Sequence, residues 1–185
     1  MRIIGGKLKG KSISFIKSST TRPLKDSVKE SIFNILIHSN LLNISLDKSN
    51  VLDLYSGIGS FGLECLSRGA EKITFVEKDK DAHKILNKNI IYLSVQNKTV
   101  VEFNQIKQFL QRKQIQKFDI FFLDPPYSND TFIEELKLLK EKKIYNNNHV
   151  VIIHREKKSN DDFKKIINPV IIKEYGRSKI IFARF

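Results

Sequence analysis

Residues 51–62 read Val51-Leu52-Asp53-Leu54-Tyr55-Ser56-Gly57-Ile58-Gly59-Ser60-Phe61-Gly62. A short apolar run ends in a polar Tyr-Ser step. Three glycines then lead into a segment with Phe61 and Cys65 on one apolar stripe. This order predicts a strand over 51–55, a glycine-rich turn and a helix over 60–68.

The same rhythm continues downstream. Apolar runs predict strands over 72–77, 99–103, 118–124 and 149–154, with helices over 80–93, 105–112 and 131–142 between them. Ile120-Phe121-Phe122 gives the 118–124 run the character of a strand covered on both faces. Residues 170–175 and 178–185 read as an antiparallel pair around Gly176. Strands alternating with helices predict an α/β protein, with a Rossmann-like, mostly parallel sheet covered by helices on both faces. Right-handed crossovers then bring the strand C-termini to one edge, where such sheets bind ligands.

Upstream, residues 2–4 and 12–15 read as short strands of a hairpin turning at Gly5-Gly6. Pro23 makes Thr21-Arg22 extended. Ser27-Val28-Lys29-Glu30 has the form of a capping box, in which Ser27 and Glu30 satisfy each other's backbone amides. Val28, Ile32, Ile35 and Leu36 continue with helical spacing to His38.

With 185 residues the chain is one domain plus a short appendage. The expected division is 1–40 for the hairpin and helix, and 41–185 for the sheet domain. No apolar run is long enough to span a membrane, and the N-terminus has no apolar signal region. A single cysteine, Cys65, cannot form an internal disulfide. These features predict a cytoplasmic protein. The formal net charge is +13, from 33 Lys plus Arg against 20 Asp plus Glu. Residues 1–29 carry eight basic side chains and one acid, so +7 of that excess sits there and +6 in the remaining 156 residues. Compositional drift would spread it evenly. The clustering predicts a nucleic-acid-facing N-terminal region, with Arg2, Lys7, Lys9, Lys11 and Arg22 as phosphate contacts; a merely solvated face is the other reading.

Three strand ends carry the candidate chemistry. Gly57, Gly59 and Gly62 match a dinucleotide fingerprint, and Glu77 follows Gly57 by 20 residues. Asp53, however, places a carboxylate where a pyrophosphate would be repelled. A cationic ligand suits that strand end better, and S-adenosylmethionine carries both a sulfonium and an ammonium. The dinucleotide and a purely structural turn remain the other readings. Glu77 can accept two ribose hydroxyls of either cofactor, with Asp79 as a second acid nearby. Asp124-Pro125-Pro126-Tyr127 closes the apolar strand. Two prolines cannot continue a sheet ladder, and they free the Pro125 carbonyl. The Asp124 carboxylate and that carbonyl offer two acceptors for the N–H groups of a nucleobase amine. Tyr127 offers a face for an unstacked base.

On these residues the chain resembles the class I amino-methyltransferases, and among them the RsmD family, which methylates a guanine N2 of small-subunit (16S) ribosomal RNA. The resemblance covers nearly the whole chain. It runs through Arg2-Ile3-Ile4-Gly5-Gly6, then Arg22-Pro23 with Asp26, Val28, Glu30, Phe33 and Asn34. It continues in the glycine segment with Gly62-Leu63-Glu64 and Leu66-Ser67-Arg68, the Asp-Pro-Pro-Tyr segment, and Tyr175-Gly176-Arg177-Ser178. It implies seven strands with the last reversed, a small N-terminal hairpin and helix, and a target presented by a partly assembled small subunit. The protein is expected to be a monomer that uses S-adenosylmethionine and needs no metal. The cofactor contacts expected are Arg22, Asp53, Tyr55, Ser56, Gly57, Gly59, Glu77, Lys78, Asn104, Gln105 and Asp124; the catalytic segment is Asp124, Pro125, Pro126 and Tyr127. The chain departs from the family at Asn104-Gln105, where many relatives place an acid, at Leu24 for Thr, and at Tyr55 for Phe.

His38, His83, His149 and His154 share no metal spacing, and are expected at the surface or at helix ends. Cys65 is expected in the core. No Ser-His-Asp order is legible. Two rival readings keep the fold. One is a DNA adenine-N6 methyltransferase, disfavoured because the chain has no room for a sizeable target-recognition domain. The other is a non-catalytic RNA-binding assembly factor, disfavoured by the intact Asp-Pro-Pro-Tyr.

Overall fold

The computed structural model describes residues 1–15, 24–126, 131–163 and 165–185. Helix α1 (Asp26–His38) precedes β1 (Asn50–Leu54), α2 (Ser60–Ser67), β2 (Lys72–Glu77), α3 (Lys80–Tyr92) and β3 (Thr99–Phe103). Then follow α4 (Ile106–Leu110), β4 (Phe118–Leu123), α5 (Phe132–Lys142), β5 (Tyr145–Glu156), β6 (Asn168–Tyr175) and β7 (Ser178–Arg184). The seven strands form one sheet in the order β3-β2-β1-β4-β5-β7-β6. Pairings from β3 to β5 are parallel, and β7 runs antiparallel to both β5 and β6. The expected α/β sheet with its reversed last strand is present.

Strand alternation divides the core in two. Val51, Phe75, Phe122, Ile152 and Ile180 face the side covered by α1, α2 and α3. Leu52, Val76, Phe121, Leu123 and Ile153 face α4 and α5. On the first side Phe61 stacks between Phe33, at 5.3 Å, and Phe122, at 4.0 Å, and so joins α1, α2 and β4.

Several local expectations change. Helix α1 starts at Asp26, with Lys25 as its N-cap and no side-chain cap, so Ser27 and Glu30 form no capping box. The charge of Asp26 in the first turn suits the positive helix end instead. Strand β5 begins at Tyr145, because the polar Asn146-Asn147-Asn148 stretch continues the extended backbone. Strand β6 begins at Asn168 and passes through Pro169 with a register shift, which an edge strand tolerates.

The N-terminal reversal also differs from a two-strand hairpin. Its strands reduce to one antiparallel bridge between Arg2 and Ser12, closed by Ile3 N to Lys11 O at 3.0 Å and Ile13 N to Met1 O at 2.8 Å. The chain turns through a 3-10 segment, Gly6–Leu8, not at Gly5-Gly6. Those glycines serve close approach to α2. A Cβ on Gly5 would lie 2.2 Å from the Arg68 guanidinium, and one on Gly6 (φ +72) would lie 1.9 Å from the Ser67 carbonyl oxygen.

Candidate active site

At the carboxyl edge of the sheet, neighbouring strands deliver Asn104 after β3, Glu77 at the end of β2, Asp53 to Gly57 from β1, and Asp124 after β4. The order reverses at β1, since the chain moves outward to β2 and β3 and then returns to β4 on the other side. Open α/β sheets bind ligands at such switch points.

The turn after β1 is stitched to β2. The Ser56 amide and hydroxyl donate to the Val76 carbonyl at 3.2 and 3.3 Å. The Gly57 amide donates to Glu77 Oε2 at 2.6 Å, and Glu77 Oε1 accepts from the Asp79 amide at 2.7 Å. Glu77 therefore holds the turn's shape, with each oxygen keeping further lone-pair capacity. Gly57 has φ +54, and a Cβ there would meet nothing within 4 Å, so its need for glycine is conformational. Tyr55 also has positive φ, +59, an unusual value for an aromatic residue. Its phenol donates to Glu135 on α5, so Tyr55 offers the site backbone more than ring. Burial raises the Glu135 carboxyl above its usual range, against that hydrogen bond and the Lys78 charge. Lys78 is exposed beside the turn.

Asp53 is only 1 % exposed. In register it lies between Phe75 of β2 and Phe122 of β4, and its Oδ2 accepts from the Gly62 amide at 3.0 Å in the first turn of α2. Burial pushes its carboxyl well above the usual carboxylate range; the Gly62 amide opposes this, and the charges of Asp124 and Glu77 add to it. Asp53 thus underpins the glycine turn and contributes to a carboxylate-rich edge.

Asp79 is committed elsewhere, as the N-cap of α3, accepting from the amides of Asp81 and Ala82. The Asn104 carboxamide oxygen accepts from the Gln105 amide at 2.9 Å, which leaves the exposed Gln105 side chain as the freer amide.

Asp124 brings the largest surprise. Its Oδ1 lies 2.8 Å from His154 Nδ1, and His154 Nε2 lies 2.9 Å from Ser178 Oγ. His154 and His149 are buried strand residues, 7 % and 5 % exposed, not surface or helix-end histidines. Both sit on β5, whose interior positions face inward. His149 packs on Phe185, and burial lowers its pKa. The Ser-His-Asp chain absent from the sequence order is thus present in space. Its carboxylate is the end at the ligand edge, the reverse of a hydrolytic triad. One residue on, the bracing continues from the other face: Arg155 donates to the Pro126 carbonyl at 3.4 Å and pairs with Asp161 at 2.8 Å. Pro125 is buried and Pro126 exposed. The sequence signal for His154 was its place at the end of the strand after Asp124, which only inter-strand register converts into contact.

The basic arm packs on this same frame. Glu64 of α2, fully buried, accepts from the amides of Ile4 at 2.8 Å and Gly5 at 2.7 Å, and pairs with Arg68 at 2.8 Å and Lys29 at 3.7 Å. Asn89 of α3 accepts from the Ser14 amide at 2.8 Å and donates to the Ile58 carbonyl at 3.1 Å, which links arm and glycine turn. Lys7, Lys9 and Lys11 are exposed, and Arg2 is exposed with an ion pair to Asp26 at 3.6 Å. Arg22 and Tyr127 lie outside the described residues.

The family model "Conserved hypothetical protein 95" matches residues 1–184, and the chain belongs to that family. The Ribosomal RNA small subunit methyltransferase D of Buchnera aphidicola subsp. Baizongia pistaciae is 32% identical over 189 residues, which cover 100% of this chain and 91% of that protein. The solved structure of yhhF from Escherichia coli is similar with a TM-score of 0.84 at 25% identity, over 99% of this chain and 96% of that one. SMU.776, solved complexed with SAH, shares the fold with a TM-score of 0.66 at 15% identity, over 85% of this chain and 49% of that chain.

Proposed function

We propose that the protein methylates the exocyclic N2 amine of a guanine in small-subunit (16S) ribosomal RNA, with S-adenosylmethionine as cofactor. The observation that carries this reading is the meeting of Asp124-Pro125 with the Gly57–Glu77 turn across the β1–β4 switch point. The site fits the cofactor's charge. The carboxylates of Glu77 and Asp124 make the edge acidic, which favours a cationic ligand and opposes a pyrophosphate. When bound, the cofactor supplies an electrophilic methyl carbon.

The chain's own residues do the positioning. Glu77 would hold the ribose, the backbone at Tyr55 to Gly57 the amino-acid part, and Gln105 or Asn104 the adenine. The Asp124 carboxylate and the Pro125 carbonyl accept the two N–H groups of the target amine and turn its lone pair toward the methyl donor. Tyr127 stacks the unpaired base. Region 1–40 acts as the appendage on the 41–185 domain: Arg2, Lys7, Lys9 and Lys11 grip phosphates, and Arg22 holds a phosphate or the cofactor's carboxylate. The acceptor is a partly assembled small subunit, and the protein acts as a monomer in the cytoplasm.

The test is labelled methyl transfer to small subunits from cells lacking the gene, followed by nucleoside mass spectrometry. N2-methylguanosine is expected, and Asp124→Ala should lower turnover at least about a hundredfold, or about 2.7 kcal/mol of barrier. Methyladenine in DNA instead, or no transfer at all, refutes the reading.

A further inference from the structure

We infer that His154, anchored by Ser178, is a positioning residue for methyl transfer: it fixes one oxygen of Asp124 so that the other serves the substrate amine. This rests on the function proposed above. Strands β4 and β5 pair with Leu123 beside Ile153, so the next residues, Asp124 and His154, lie side by side on the same face. Strand β7 pairs His154 with Ile180, and Ser178 lies two residues from Ile180 on that same face. The residue just past β4 and two strand residues, one on β5 and one on β7, therefore form a chain of three side chains.

The direction of the hydrogen bonds follows from the chemistry. A carboxylate only accepts, so Nδ1 carries the proton toward Asp124 Oδ1. In the neutral ring Nε2 is then an acceptor, and the Ser178 hydroxyl donates to it. Asp124, which can only accept, thereby sets the tautomer, and Ser178, whose hydroxyl can donate or accept, holds the far side of the ring. The imidazole is 9 % exposed in its side chain against 26 % for Asp124, so the ring is fixed inside and the carboxylate reaches the edge. Among the described residues Asp124 Oδ2 has no hydrogen-bond donor, which leaves it for an amine N–H. Without the ring, the carboxylate is free to rotate about χ2, a soft torsion. A small misplacement at a reacting group costs on the order of a hundredfold in rate.

The experiment compares His154→Ala, His154→Asn and Ser178→Ala in single-turnover methylation of small subunits, with cofactor affinity measured by calorimetry. Asparagine places an amide donor near the Nδ1 position. His154→Ala should slow turnover about tenfold to a hundredfold. His154→Asn should recover most of that loss, and Ser178→Ala should fall between. Cofactor affinity should stay within about twofold throughout. In parallel, ¹⁵N spectra of labelled histidines should show a His154 signal, assigned by its loss in His154→Asn, in the Nδ1–H form. Full turnover in His154→Ala, no rescue by asparagine, loss of cofactor binding together with turnover, or an Nε2–H ring would each overturn the positioning role. A wild type inactive on small subunits would instead refute the functional reading itself, and this role with it.

Discussion

Replacing Glu64 by Gln tests whether the basic arm is latched to the sheet domain by a buried charge. Both Glu64 and Lys29 side chains are 0% exposed, and among the described residues Glu64 has four partners: two arm amides, Arg68 and Lys29. Glutamine keeps the shape but loses the charge, and turns an NH2 toward groups that are all donors. Among the described residues Lys29 then keeps only Asp26, at 3.7 Å and itself half-exposed, and the Arg2 carbonyl at 2.9 Å. Breaking a buried pair from one side costs about 3–5 kcal/mol. For a chain of this size that is roughly 6–20 °C in Tm, at about 2–4 °C per kcal/mol.

A cheaper escape exists, and it sets an upper limit on the global loss. Release of the arm would hydrate Lys29 without unfolding the sheet. The assay is therefore urea unfolding together with amide exchange at Ile3, Gly10 and Ile13, whose amides bond within the arm. Either the global loss reaches about 3 kcal/mol or arm protection collapses while the sheet stays protected. Lys29→Met should cost less, because Glu64 keeps Arg68 and two amides. A Glu64→Gln protein within about 1 kcal/mol of wild type, with its arm still protected, would refute the latch.

Three further outcomes are expected. Glu77→Gln should weaken adenosylhomocysteine binding by about 1.5–3 kcal/mol in calorimetry, the scale of hydrogen bonds to a charged group; unchanged affinity would mean the ribose is held elsewhere. Replacing Lys7, Lys9 and Lys11 together by Gln should lower the log–log salt slope of substrate binding by up to about two units, with little change in turnover at saturation; an unaltered slope would show that the arm's charge is merely solvated. The Asp53 carboxyl is raised in the folded protein, so its contribution to stability is full below the unfolded pKa of about 3.9 and is lost as pH rises through the folded value. The Tm of Asp53→Asn relative to wild type should accordingly climb between pH 4 and 8, and a flat difference would contradict a strained charge.

What could be read from the sequence was what short stretches encode. The apolar runs of β2 and β3 end where turn chemistry ends them, and their bounds match the expectation over 72–77 and 99–103. The start of β5 was hidden because Tyr145-Asn146-Asn147-Asn148 has loop composition, and the sheet's own pairing with Phe118 overrides it. The capping box failed because Ser27 and Glu30 satisfy a pattern of spacing, while the helix begins where Asp26 meets Lys29 and Arg2. Asp124, Glu77 and the glycines were legible because each ends a strand next to a turn. His154, Ser178 and Glu64 were not, since their partners lie 30, 24 and about 60 residues away and come into contact only through register and packing.

These hidden contacts explain how an acidic edge is kept in one geometry. The Asp53 carboxyl is raised first by burial and then by the charges of Asp124 and Glu77. Each carboxylate is held by donors of the protein itself: Gly62 for Asp53, Gly57 and Asp79 for Glu77, His154 for Asp124. Hydrogen bonds of this kind fix position without cancelling the field that a cationic ligand would feel. A Lys or Arg placed among the three would neutralise the edge and remove the preference for a cation. Among the described residues the nearest well-buried cations serve other tasks. Lys29 and Arg68 hold the arm through Glu64, and Arg155 faces Asp161 and the Pro126 carbonyl. The site is thus braced by the protein's own donors, and the exposed lysines of the arm lie on a separate part of the surface. On the function proposed above, that separation of sign would let one small domain hold a cationic cofactor and a polyanion side by side.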